Sequence, residues 1–319
     1  MFNTTKTLLR NNIKKSNLLM VNLKKSFAIN FTKNPLINVD EAYNDFNSKD
    51  KITKFVDVRD TDSFIASHIK GAQNINEIFT YLSTSDQSGI DEMKKEFEKV
   101  FQNYGINGNE QIILYEECLK TRFGASCRGL YLFNLFGFSN VRVLHGAWES
   151  WVAKGLPVSS EVEAINQKGT FSPSWNGSIF ASKQDVLDAL NNKDVVLLDV
   201  RDYDEWTAES SSPYGVDFAP KKGRIPGAIH IFWKDFMYEE NGMTYMKSPE
   251  EILEITAAKG ITPDKNIIIY CFKGARASNS FIALSTAGFT NIRNYFASWN
   301  EWSRDDNCPY EGSNLSINI

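Results

Sequence analysis

The strongest constraint on this chain is that it carries one pattern twice. "FVDVRDTDSFIASHIKGAQNIN", from Phe55, returns as "LLDVRDYDEW", from Leu197, and the later "GRIPGAIHIF". "YGINGNEQIILY" at 104–115 pairs with "KGITPDKNIIIY" at 259–270, and "FGFSNVRVLHGAWESW" at 136–151 pairs with "AGFTNIRNYFASWNEW" at 287–302. The offset grows from 142 to 155 and then falls to 151. The second half therefore holds 13 extra residues near "TAESSSPYGVDFAPKK", and the first half holds four extra just after Tyr115. A period of roughly 150 residues signals duplicated domains, since stacked solenoid repeats run about 20–50. A length of 319 residues also suits two domains.

Each half reads as an α/β unit. "KDVVLLDVR" and "KNIIIY" are short apolar runs with polar borders, the pattern of buried parallel strands. "SKQDVLDALNN" opens with a Ser182…Asp185 capping pair, and "SPEEILEITAAKG" starts on Ser248 and Pro249 and stops at Gly260. Alternation of this kind predicts, in each half, a mainly parallel sheet with helices on both faces. The expected division is a first domain at 34–158, a polar, turn-rich linker at 159–174 and a second domain at 175–311.

Charge and cysteine usage narrow the function. Residues 1–39 hold seven Lys or Arg and no acid, which leaves 28 basic against 39 acidic residues in the body. A basic tail on an acidic body does not suggest nucleic acid as a partner. No apolar run is long enough for a transmembrane helix, so no membrane partner is expected. Residues 1–30 read as a mitochondrial transit segment, which places the chain in the matrix; the alternative is a disordered tail on a cytoplasmic protein. Four cysteines without a CxxC pair fit a reducing compartment. The three histidines are far apart, and no spacing resembles a zinc site.

One stretch carries chemistry. In "IIIYCFKGARASNSF" a buried strand runs straight into Cys271, and a short loop, Phe272 to Arg276, leads into a helix. The carboxyl ends of parallel strands are where open α/β sheets bind ligands. Loop N–H groups and a helix start favour an anion there, and so stabilise a thiolate, the nucleophilic form of sulfur. Lys273 and Arg276 add positive charge, and Gly274 permits a turn that a Cβ would obstruct. Only four residues separate Cys271 from Arg276, one fewer than in the phosphate loop of cysteine phosphatases, and no evident general acid follows. The tighter loop favours sulfur transfer.

The paired "DVR" strands (Asp57–Arg59, Asp199–Arg201), "IKGAQNI" and "IPGAIHI", "YCFKGARAS" and the closing "SWNEW" together resemble the tandem-domain rhodaneses, the thiosulfate/3-mercaptopyruvate sulfurtransferase family, over about residues 34–311. The resemblance implies two rhodanese-like domains with catalysis in the second. Cys271 would form a persulfide. Phe272, Lys273, Gly274, Ala275 and Arg276 would surround a small sulfur donor, thiosulfate or 3-mercaptopyruvate. The acceptor would be cyanide or a thiol such as thioredoxin or glutathione, and no metal or organic cofactor is implied. Glu116 occupies the cysteine position in the first half, as in an inactive domain, and Cys118 and Cys127 lie off it. Pro226 stands where mammalian members carry an arginine, with Arg224 as a candidate substitute. Asp199 and Arg201 read as a structural pair. Trp148, Trp151, Trp299 and Trp302 read as core cover, with Ser298 and Trp299 also able to wall the site.

Overall fold

The computed structural model describes residues 34–79 and 82–312. The expected targeting segment at 1–30 lies outside the described residues. The first sheet holds β1 (Leu36–Ile37), β2 (Thr53–Asp57), β4 (Gln73–Asn74), β5 (Gln111–Tyr115) and β6 (Val141–Leu144) in the order β1-β6-β5-β2-β4. The second holds β8 (Val195–Asp199), β9 (Ile229–His230), β12 (Asn266–Tyr270) and β13 (Ile292–Asn294) in the order β13-β12-β8-β9. Every pairing within these two sheets is parallel. A bridge between Phe180 and Asn294 extends the second sheet where β1 extends the first. Two short antiparallel pairs lie outside them. These join β3 (His68–Ile69) to β7 (Val158–Ser159) and β10 (Met237–Glu240) to β11 (Met243–Met246).

The helices are α1 (Val39–Asn47), α2 (Thr61–Ala66), α3 (Gln87–Asn103), α4 (Ala125–Leu135) and α5 (Ala147–Ala153) in the first half. The second half has α6 (Lys183–Ala189), α7 (Tyr203–Trp206), α8 (Pro249–Ala257), α9 (Ala275–Thr286) and α10 (Ser298–Trp302). Both expected caps form. Ser182 with Asp185, and Ser248 with Glu251, make reciprocal capping boxes that satisfy N–H groups the helix cannot.

The central strands β5 and β12 are buried, apart from Asn266 at the start of β12, which is why their sequences read as nearly continuous apolar runs. The duplication extends to single hydrogen bonds. Arg59 lies against Asp57, and Arg201 against Asp199, each guanidinium binding both carboxylate oxygens. Tyr115 Oη takes the N–H of Ile69, and Tyr270 Oη takes that of Ile225. The arginines face Trp148 and Trp299 at 4.3 and 4.7 Å. Trp151 and Trp302 are wholly buried.

The halves meet through α4 and α9, which lie inside one continuous core. Tyr131 stacks on Phe296 and meets Phe281 edge-on. Residues 160–174 form no free tether. Gly169 N–H bonds Gln102 O, Phe171 N–H bonds Ile106 O, and Ser174 N–H bonds Phe136 O, which holds the connection against the first half.

Candidate active site

Strand β12 ends at Tyr270, and Cys271 is the next residue. Its backbone is fixed by the start of α10, which follows the neighbouring strand β13. Cys271 N–H donates to Ser298 Oγ at 3.1 Å, and Trp299 N–H donates to Cys271 O at 3.1 Å. Ser298 and Trp299 therefore hold the cysteine's main chain rather than line the cavity beside it.

The turn is shorter than the sequence suggests. Helix α9 begins at Ala275, so the loop is 272–274 and Arg276 sits in the first helical turn. Gly274 causes this. Its φ of 82° is a left-handed conformation that suits glycine, and a Cβ there would lie 2.5 Å from the Phe296 ring. In this conformation Gly274 N–H points at Cys271 Sγ, 3.1 Å away. A backbone donor and the start of a helix both favour an anionic sulfur.

Cys271 borders a cavity of about 110 Å³ with Phe272, Lys273, Ala275 and Arg276, which gathers the expected loop residues except Gly274. Phe123 and Arg128 from the first half, and Pro213 and Tyr214 from the 13-residue insertion, complete the wall. Lys273 Nζ lies 5.1–5.4 Å from the rings of Tyr214, Phe218 and Phe272, and burial lowers its pKa.

Arg276 lines the cavity and is also ion-paired. Burial alone would lower its pKa, but its ion pair with Glu205 and a 2.7 Å contact with Asp202 raise it overall. Its charge is committed to carboxylates of α7 and its cap, not to Asp199, whose partner is Arg201. Arg224 is not among the cavity residues. It packs over Trp206 at 4.2 Å and bonds Glu311 at 3.1 Å.

The other thiols lack this setting. Burial pushes Cys127 far up, and pushes Cys308 up to about 11, which keeps both protonated near neutrality. Cys118 is buried within the longer loop of the first half. A larger cleft of about 900 Å³ lies beside Arg142, His145, Met246 and Ser248, with no cysteine in its lining. Among the described residues, no helix is long and apolar enough to cross a membrane.

Sequence reasoning missed Arg128, Phe123, Pro213 and Tyr214. Nothing local marks the first two, because the loop they serve lies in the other half. The insertion was visible as an offset but carried no sign that it folds over Cys271.

Comparison with known proteins finds the duplication again. The rhodanese-like domain model matches twice, at residues 38–154 and 182–305. A Haloferax volcanii protein provisionally named a thiosulfate sulfurtransferase is 30% identical over 291 residues, covering 89% of this chain and 98% of its own. Sulfur carrier protein TtuD of Thermus thermophilus is 30% identical over 241 residues, covering 74% and 82%. The anaerobic ergothioneine biosynthesis enzyme of Chlorobium limicola superposes with a TM-score of 0.71 at 23% identity, over 88% of this chain and 70% of that one, which shows a shared fold.

Proposed function

The chain belongs to the rhodanese-like family, and we propose that it is a thiosulfate sulfurtransferase working by double displacement through a Cys271 persulfide. In this reading 34–158 is a non-catalytic domain, 159–174 a linker and 175–311 the catalytic domain. The observation that carries it is the Cys271 sulfur, bonded by Gly274 N–H at 3.1 Å beside a small cavity lined by cations. A space of about 110 Å³ falls well below the roughly 300–1,000 Å³ that holds drug-sized ligands, and so suits a small sulfur donor.

In the first step the Cys271 thiolate attacks the outer sulfur of thiosulfate. A new S–S bond forms, the S–S bond of thiosulfate breaks, and its electron pair leaves on sulfite. In the second step cyanide, or a thiolate such as that of glutathione or thioredoxin, attacks the outer persulfide sulfur, and the bonding pair returns to Cys271. The Gly274 N–H and the start of α9 stabilise negative charge on sulfur throughout. Lys273 attracts the dianion, and Phe272, Gly274 and Ala275 shape its seat. Arg276, in the cavity wall, holds the loop through Glu205 and Asp202, and Arg224 stays with Glu311.

The test is steady-state kinetics on the purified chain with thiosulfate and 3-mercaptopyruvate, each with cyanide, glutathione and thioredoxin. Higher kcat/KM for thiosulfate is expected, and a preference for 3-mercaptopyruvate overturns the choice of donor. The Thermus relative's name favours one further reading, a persulfide carrier. Loading of Cys271 without turnover on small acceptors would select it. Residues 1–30 are proposed on composition as a mitochondrial targeting segment. A fusion of residues 1–40 to a fluorescent reporter should enter mitochondria, and a cytosolic signal refutes this.

A further inference from the structure

Cys271 is approached by charges and polar groups from several elements. Lys273 lies in its own loop. Arg276, in α9, is tied to Glu205 and Asp202. Tyr214 comes from the insertion. Arg128 comes from α4 of the other half, and neither the duplication nor the reaction written above uses it.

Arg128 Nη1 donates to Lys273 O at 2.5 Å. That carbonyl and the N–H of Gly274 belong to one peptide group. No described peptide is cis, so the C=O and the N–H of this unit point in opposite directions. The N–H end is the one that meets Cys271 Sγ. One rigid plane thus connects a guanidinium of the first domain to the sulfur of the second. We propose that Arg128 is a positioning residue of the active site, which clamps Lys273 O and thereby orients and polarises the Gly274 N–H that holds the Cys271 thiolate.

The surroundings fix Arg128 for this task. Its Nε donates to Ile78 O at 2.7 Å, and its guanidinium lies 4.6 Å from the Phe296 ring centroid. The same ring limits Gly274 to a bare Cα. Burial lowers the Arg128 pKa to about 10, the negative charge of Cys271 acts in the opposite sense, and the group stays charged at neutral pH. A hydrogen bond from a cation is stronger than a neutral one, and linked hydrogen bonds polarise one another. The catalytic site is then incomplete without the domain that carries no nucleophile. The inference rests on the reading of Cys271 as the nucleophile.

The test is the pH dependence of Cys271 alkylation by iodoacetamide in the full chain, read by mass spectrometry of the Cys271 peptide. Arg128→Gln keeps a neutral donor, Arg128→Lys keeps the charge, and Arg128→Met removes both. The alkylation midpoint should rise by roughly one pH unit in Arg128→Gln and further in Arg128→Met, and Arg128→Lys should stay within about 0.3 units of wild type. Melting temperatures are measured alongside. Lower melting with an unchanged midpoint in Arg128→Gln and Arg128→Met would make Arg128 interdomain packing only and overturn the proposal. If Arg128→Met does not fold, the Gln and Lys variants decide: a higher midpoint in Gln alone supports it, and equal midpoints refute it. Alkylation needs no sulfur donor, so the result stands whether or not thiosulfate proves to be the substrate.

Discussion

The two halves share their central strands, their Asp–Arg pairs and their stacked tryptophans, and they part at the residue after the central strand. In the first half that residue is Glu116. Nine-residue connection 116–124 carries the chain to α4, whose first N–H groups, Ala125 and Ser126, donate to the Glu116 carboxylate at 3.0 and 3.1 Å. Ser126 Oγ donates to it as well. In the second half the residue is Cys271, the connection is 271–274, and one N–H meets the sulfur. Both halves aim hydrogen-bond donors of a helix start at the residue that follows the central strand. In the first they meet the Glu116 carboxylate, and in the second one meets the Cys271 sulfur beside a cavity. The fold supplies the donors, and under the proposed function the residue after the strand makes the place structural in one half and chemical in the other.

The sharpest break in the comparison is removal of the sulfur. Cys271→Ser should lower sulfur transfer by more than roughly a thousandfold, while Cys118→Ser, Cys127→Ser and Cys308→Ser keep most of it. Turnover assays on the four variants check this.

Arg276 comes next. Arg276→Ala leaves Glu205 buried without its ion-pair partner, at a cost of about 3–5 kcal/mol. Denaturant unfolding should show that loss, and kcat/KM for thiosulfate and 3-mercaptopyruvate should fall by the same factor. Selective loss of thiosulfate activity would return Arg276 to the substrate.

Lys273 should behave the other way. A charged hydrogen bond to a substrate anion contributes about 1.5–3 kcal/mol, so Lys273→Ser should lower thiosulfate kcat/KM by roughly ten- to a hundredfold. The singly charged carboxylate of 3-mercaptopyruvate should lose less. Kinetics with both donors would expose an equal loss, which contradicts the charge account.

The smallest effect lies in the first half. Burial pushes Glu116 up to about 7, against the three donors that favour its charged form. A folded value above the unfolded 4.5 means that protonation favours the folded state. That stability is fully present below about pH 4.5 and is lost as pH rises through about 7. Glu116→Gln cannot ionise. Relative to wild type it should gain on the order of 1–3 kcal/mol between pH 5 and pH 8, measured as the difference in unfolding free energy at the two values. A gap that does not change with pH would assign the carboxylate no such cost.

Much of this was legible in one dimension. The repeat, the buried strands, the capping boxes and the cysteine after "IIIY" are local patterns, and local patterns survive in a sequence. Glu116 at the matching place already separated the two loops. What the sequence hid was assembled across distance. Arg128 reaches Lys273 from the other half. Arg276 finds Asp202 and Glu205 because α7 starts just after the Asp199 strand, where Asp199 itself is already taken by Arg201. Arg224 reads as a spare cation until Glu311, far along the chain, closes on it. Charges near each other in sequence say little about which carboxylate will share their buried space.

The most direct test of two anion sites with one nucleophile is to treat the full chain with thiosulfate, remove the excess, and map added sulfur by peptide mass spectrometry. One extra sulfur atom on the Cys271 peptide, lost again on addition of cyanide with release of thiocyanate, is the predicted result. An unmodified Cys271, or added sulfur carried by Cys118 or Cys127 in the first half, would contradict the account.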